Sequence, residues 1–306
     1  YAWDEEPARF YASLDEWYAY FNAHNLDWDI ILYYLMDEPS EREEWQVKFI
    51  QRVADWVHAY SHPVWTMITE YINPGFIRGS EPEWITFWMP PASEQEEGYN
   101  IAAAEAQRAM GHRVGAYNGH RPGAGTPLID DDAVAPRTWP WICFKHNLDL
   151  WYYWDVMYWQ KKQGPDRGTD TDVWNDPVTF DISAWDPEDL GNGDGTLFYP
   201  GQDRIFPASD CGLEGPVSSI RMKNWRRGMQ DYEYLSMAYA MGLGTQADAV
   251  VTGRIPQVLS DAAGLAQKSY SSRGADWENS RAQLATLIEQ GPSRPVVLIE
   301  TDQYSY

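Results

Sequence analysis

Residues 28–40 read WDIILYYLMDEPS. From Trp28 to Met36 the run is nearly continuous in apolar side chains, and such a run fits a parallel β-strand buried on both faces. It stops abruptly at Asp37-Glu38-Pro39-Ser40. Ser40 followed by Glu43 has the form of a capping box. Trp45, Phe49, Val53, Trp56, Val57 and Tyr60 then fall on one helical face, so a helix is expected to about Tyr60. Strand, acidic turn and helix in succession form the unit from which α/β folds are built.

The same alternation extends outward from this stretch. Upstream, residues 6–24 place Phe10, Leu14, Trp17, Tyr18 and Phe21 at helical spacing. Strands are expected near 28–37, 64–69, 84–88, 113–118 and 149–154. Ser93 and Glu96 suggest a second capping box, opening a helix that Gly111 stops, and another helix is expected over 137–146. Residues 160–215 differ, being rich in Gly, Pro and Asp with little periodicity, and read as a long insertion. Helix returns from Pro216 to about Met241, then near 247–262 and 277–289. The fold expected is α/β, a (β/α)8 barrel of which this chain carries the later strand–helix units over residues 1–243, with a helical extension over 244–306. Five units are visible and a closed barrel needs eight strands. The others are expected upstream of Tyr1, or the sheet is open.

Composition narrows the function. The chain of 306 residues carries a formal charge of −23, with 46 acidic against 23 basic side chains. So acidic a surface repels phosphate backbones and anionic membranes, which argues against both as partners. No apolar run reaches membrane-spanning length; Leu148–Trp159 is interrupted by Asp149 and Asp155. The 17 Trp and 20 Tyr pair an apolar ring with one polar atom, the combination that stacks on the C–H faces of sugars. Cys143 and Cys211 make no disulfide framework, and Cys143, in an apolar run, reads as a buried thiol. With no C-x-x-C, no H-E-x-x-H and six scattered His, neither a metal nor another cofactor is expected.

In barrels the active site lies at the C-terminal ends of the strands, where Asp37 and Glu38 stand. Cleavage of a glycosidic bond needs one carboxylic acid to protonate the departing oxygen and a negative group to stabilise the charge that builds on the sugar. Asp-Glu alone is a weak signal, since Asp4-Glu5 and Asp15-Glu16 also occur. The apolar strand before it and the capped helix after it single this pair out.

Five segments carry a wider resemblance: Tyr34-Leu35-Met36-Asp37-Glu38-Pro39-Ser40, Gly111–Tyr117 (GHRVGAY), Leu150–Trp159 (LWYYWDVMYW), Gly193–Gly201 (GDGTLFYPG) and Ser219–Leu235 (SIRMKNWRRGMQDYEYL). In these the chain resembles the catalytic domain of glycoside hydrolase family 123 and its related uncharacterised domain family, over about residues 6–290. The resemblance implies a (β/α)8 barrel and β-N-acetylgalactosaminidase-type hydrolysis, in which the substrate's own 2-acetamido oxygen is the nucleophile. Glu38 then corresponds to the general acid/base and Asp37 to the group that orients the acetamide and stabilises the oxazolinium. A glycan is the implied partner, and secretion is expected from the substrate class and the Lys-poor, acidic composition.

Two rival readings remain. Asp-Glu-Pro also resembles the Asn-Glu-Pro of retaining barrels with two separated glutamates, for which Glu70 is the available second acid. A carbohydrate-binding or structural barrel without turnover is the other. Around the pair, strand ends offer Tyr71, Trp88, Tyr117, Asn118, Trp154 and Asp155, with Trp159 just beyond. Tyr117 or Tyr71 suits a donor to the acetamide, and Trp154 and Trp159 suit walls of a sugar pocket. Asp170, Asp172, Asp176 and Asp194 read as solvated loop acids rather than calcium ligands. Arg221, Arg226 and Arg227 are expected to pair with acids such as Asp231 or Glu233.

Overall fold

The computed structural model describes residues 7–92, 99–119, 124–162, 166–181, 190–255 and 270–291. These form a mixed α/β fold with parallel sheets and seven described α-helices. The chain divides into two compact units: one gathers the residues up to Asn118 with Leu148–Tyr152, the other most of the rest.

The first unit opens with α1 (Pro7–Ala23), which buries Phe10, Leu14 and Phe21. Trp28–Ile30 is a 3₁₀ turn rather than the start of a strand, because the Asp27 carboxylate accepts the N–H of Asp29 at 2.9 Å and caps it. Then come β1 (Leu32–Met36), α2 (Glu44–His58), β2 (Trp65–Ile68), β3 (Phe87–Trp88), α3 (Ile101–Ala109), β4 (Arg113–Val114) and β5 (Ala116–Tyr117). Ser40 does not cap α2: its hydroxyl accepts the Arg42 N–H at 3.3 Å in a local turn, and the helix starts four residues later. Asn100 caps α3 by accepting the Ala103 N–H at 2.9 Å. The capping box expected at Ser93 and Glu96 lies outside the described residues.

Strands β1, β2, β3 and β4 are parallel neighbours in that order. Strand β5 pairs in parallel with β6 (Trp151–Tyr152). Only Gly115 separates β4 from β5, and its N–H donates to Trp88 O at 2.8 Å, while Ala92 N donates to Tyr117 O at 3.0 Å. Five adjacent parallel strands result, matching the five expected. Gly115 permits this closeness: a Cβ there would lie 2.5 Å from Leu150 O and 2.6 Å from Met89 Sδ.

The sheet is strongly curved. Strands lie about 4.8 Å apart, so the first and fifth of a flat sheet would stand about 19 Å apart. Here the rings of Tyr34 on β1 and Tyr152 on β6 are 5.9 Å apart. One side chain in two lines the inner face: Leu32 and Tyr34, Trp65 and Met67, Phe87 and Met89, Tyr117, Leu150 and Tyr152 pack as one cluster. At the start of the strands Arg113 donates to Asp29 O at 2.9 Å and pairs with its carboxylate, with the guanidinium 4.4 Å from the Trp65 ring. The opposite parity faces the helices, where Trp88 donates to Gln107 of α3 at 2.9 Å.

The second unit holds α4 (Ala135–His146), the antiparallel pair β7 (Val178–Asp181) and β8 (Leu190–Asn192), the antiparallel pair β9 (Phe198–Pro200) and β10 (Pro216–Ser218), and α5 (Ile220–Ala240), α6 (Gly244–Thr252) and α7 (Gly274–Gln290). The Gly- and Asp-rich stretch thus contains β-structure, and residues 216–218 are strand, not helix. Ser219 caps α5 by accepting the Met222 N–H at 3.2 Å. Helix α5 crosses α4 at Gly228, where a Cβ would meet Arg137 O at 2.4 Å. Asp231, fully buried, accepts from Arg137 Nε at 2.7 Å and from Trp141 Nε1 at 3.1 Å, and pairs with Arg281 of α7. Removing one partner from such a buried pair costs about 3–5 kcal/mol. Hydrogen bonds from Arg227, with Arg137 beside it, hold the Glu278 carboxyl down at about 2. Cys143 is a buried free thiol and Cys211 an exposed one. No described helix is long and apolar enough to cross a membrane.

The close approach at Gly115 is testable. Gly115→Ala is expected to destabilise the chain by about 1–3 kcal/mol through backbone displacement of β6, read as a lowered urea midpoint with unchanged slope.

Candidate active site

In a regular strand, neighbouring side chains point to opposite faces. Strand β1 departs from this rule just before the acids. Tyr34 stands opposite Met67 and Met36 opposite Ile68, so β1 carries one extra residue, a bulge at Leu35. The bulge shifts the parity, placing Asp37 on the inner face with Tyr34 although three positions separate them. The Tyr34 hydroxyl donates to Asp37 Oδ1 at 2.6 Å. Glu38 then adopts the left-handed backbone, with φ +42°, a conformation uncommon for a residue with a Cβ. That turn aims its carboxylate back over the same face, where Tyr117 OH donates to Glu38 Oε1 at 2.8 Å.

Thr69, next after β2, continues the inner row of Trp65 and Met67. Its hydroxyl donates to Asp37 Oδ1 at 3.1 Å, accepts the Glu38 N–H at 2.9 Å and lies 2.6 Å from the Tyr34 hydroxyl. Each acid is therefore held by one oxygen. Both side chains are exposed, and among the described residues Asp37 Oδ2 and Glu38 Oε2 have no hydrogen-bond partner.

Burial and then the neighbouring carboxylates push both phenols far above the usual tyrosine range. For Tyr34 the acid is Asp37; for Tyr117 they are Glu38, Glu70 and Asp37. Both hydroxyls thus stay protonated and act as donors. That Glu70 is felt at Tyr117 shows a third carboxylate near the rim, at the end of β2. Its Oε1 also accepts the Tyr71 N–H at 3.1 Å.

The other expected site residues divide. Tyr71 accepts from Asn73 Nδ2 at 2.9 Å. Asn118, left-handed at φ +50°, donates its N–H to Tyr152 O at 3.0 Å; its side-chain oxygen is buried with no partner among the described residues. Trp88, expected to contact substrate, is 1% exposed and packs under α3, because Phe87 and Met89 hold the inward parity. Trp154, Asp155 and Trp159 belong to the second unit. There Trp154 Nε1 and Tyr153 OH both donate to Asp194 Oδ1, at 2.9 and 2.7 Å, and Lys162 Nζ sits 5.0 Å from the Trp154 ring. Asp155 accepts its own turn's N–H groups, from Val156 and Met157, and Trp159 donates to Phe198 O at 2.9 Å.

The loop acids are engaged one by one: Asp170 with Gln160, Asp172 with Ser209 and Asn175, Asp176 with Lys161. Among the described residues no three His, Cys, Asp or Glu converge as metal ligands do. Of the arginines of α5, Arg227 pairs with an acid as expected, though not one on its own helix, and Arg221 does not. Buried Arg221 donates to Pro127 O, Gly193 O, Thr196 O and Tyr199 OH. Arg227 pairs with Glu278 of α7, and Arg226 is exposed. Neighbours along the helix lose because Asp231 is taken by Arg137 and Arg281.

Tyr34 and Thr69 are the residues that sequence reasoning passed over. Both were absorbed into strands as apolar or terminal positions. The available signal was a hydroxyl at the last inward position of each strand.

The curved parallel sheet thus carries two adjacent, phenol-held carboxylates beyond its C-terminal edge, and the sequence match says which class of enzyme carries them. Residues 9–238 match the family model described as glycoside hydrolase 123, catalytic domain, and the chain belongs to that family. Among curated proteins none matches the sequence. A solved structure of a family 123 glycoside hydrolase from Clostridium perfringens, described for glycolipid glycan hydrolysis, is similar at 12% identity with a TM-score of 0.49. The match covers 92% of this chain and 43% of that one.

The donors are testable by titration. Burial, with a hydrogen bond to Asp15, pushes Tyr60 up to about 12. Tyr60→Phe should therefore remove a phenolate absorbance step near that pH. Tyr117→Phe should remove none by the same point, because its hydroxyl ionises later still.

Proposed function

We propose that this chain is the catalytic part of a retaining glycosidase that removes terminal β-linked N-acetylhexosamine, N-acetylgalactosamine first among them, from glycans. We read its five curved parallel strands as consecutive units of a (β/α)8 barrel, whose chemistry sits beyond the C-terminal strand ends. The observation that carries the reading is the tethering of two adjacent carboxylates by one oxygen each, Asp37 by Tyr34 and Thr69, Glu38 by Tyr117.

With Tyr117 donating to Oε1, the proton that Glu38 delivers as general acid leaves from Oε2. It passes to the glycosidic oxygen as the C1–O bond breaks. The acetamido oxygen of the same sugar attacks C1, giving a bicyclic oxazolinium. Asp37 accepts the acetamide N–H and stabilises the positive charge spread over N, C and O. The alcohol leaves. Glu38, now a carboxylate, takes a proton from water, whose oxygen attacks C1 and reopens the ring with retained configuration. Two adjacent acids suit this division, since no separate nucleophilic carboxylate is required.

Glu70 supports a second reading, in which a carboxylate on the neighbouring strand end attacks C1 directly. Two variants separate them. Glu38→Gln should lower kcat/KM on aryl N-acetyl-β-hexosaminides by about 10²–10⁴-fold, and more for poor leaving groups, which depend most on protonation. Glu70→Gln should retain activity within about tenfold, and a thiazoline mimic of the oxazolinium should inhibit competitively. Loss of all turnover in Glu70→Gln, with a trapped glycosyl-enzyme at Glu70 in the wild type, would establish the second reading. A protein that carries the complete barrel and is silent on every aryl hexosaminide would favour the reading of a binding protein.

A further inference from the structure

Among the described residues, the Thr69 hydroxyl is the atom that touches both members of the acid pair. It accepts the backbone N–H of Glu38 and donates to the Asp37 carboxylate, and it is fully buried. Tyr34 OH, 2.6 Å away, completes a triangle of oxygens around Asp37 Oδ1.

We propose that Thr69 is a positioning residue that fixes the spacing between the proton-delivering and acetamide-orienting carboxylates; the inference rests on the glycosidase reading above. A left-handed glutamate is intrinsically disfavoured by about 1–2 kcal/mol, so Glu38 needs a restraint to stay there. The Thr69 bond to the Glu38 N–H supplies part of that restraint by fixing the peptide plane between Asp37 and Glu38 from which the turn departs. Without it, that peptide plane is free to rotate and the Glu38 carboxylate swings from Tyr117. Asp37 loses one of its two donors but keeps Tyr34. Both changes alter placement and leave the two carboxyl groups chemically unchanged. Displacement of a catalytic group by about 1 Å lowers turnover by about a hundredfold.

The test compares Thr69→Val, nearly isosteric but without the oxygen, with Thr69→Ser, which keeps it. Thr69→Val should lower kcat on an aryl N-acetyl-β-hexosaminide about a hundredfold with KM within about threefold, and Thr69→Ser should stay within about tenfold of wild type. In a double-mutant cycle, Thr69→Val added to Glu38→Gln should cost less than the two single changes combined, because Thr69 acts in part through that residue. A purely structural role would instead lower thermal stability in parallel with activity and add fully in the cycle. If Thr69→Val does not fold, Thr69→Ala against Thr69→Ser isolates the same oxygen. Equal kcat in the oxygen-bearing and oxygen-free variants overturns the inference while the glycosidase reading stands. A wild-type protein without hexosaminidase activity overturns both.

Discussion

The site depends on a broken parity. A regular strand cannot present two consecutive side chains to one face, yet both acids here are tethered to residues of the same inner row. The extra residue at Leu35 brings Asp37 inward, and the left-handed turn at Glu38 brings the next side chain after it. Neither device would persist alone. The bulge is held because Leu35 is buried, and the turn because Thr69 and Tyr117 receive the peptide and the carboxylate. The curvature of the sheet matters for the same reason, since Tyr117 approaches Glu38 from the fourth strand.

Much of this fold was legible in the sequence. The five apolar runs are the five parallel strands, because strands covered on both sides leave a dense and unambiguous signal. The alternation with amphipathic helices gave their direction. Boundaries were less legible. Asp27 turned Trp28–Ile30 into a 3₁₀ segment, and Ser40 spent its hydroxyl on a local turn instead of a helix cap. In each case a short polar side chain accepts a backbone N–H two residues on, a local choice that spacing does not encode.

The pair Asp37-Glu38 was visible because an abrupt acidic stop after an apolar run is rare. Its supports were not. Tyr34 and Thr69 look like ordinary strand residues, and the bulge that gives them their role depends on register with β2, which no single strand contains. Trp88 misled for the complementary reason: a strand-end aromatic is informative only once its parity is known. Arg221 shows a different limit. An arginine in an acidic chain invites an acidic partner, but burial among backbone carbonyls satisfies its donors equally well and ties the turn around Gly193 and Thr196 to α5.

The conformation at Glu38 has an evolutionary consequence. Glycine or asparagine would sit more comfortably there, so local backbone preference and acid chemistry pull in opposite directions at this codon. Selection for heat resistance alone would drift toward those residues and remove the carboxylate that Tyr117 holds. Thermostabilisation of this scaffold therefore calls for holding position 38 fixed while the remainder is allowed to vary.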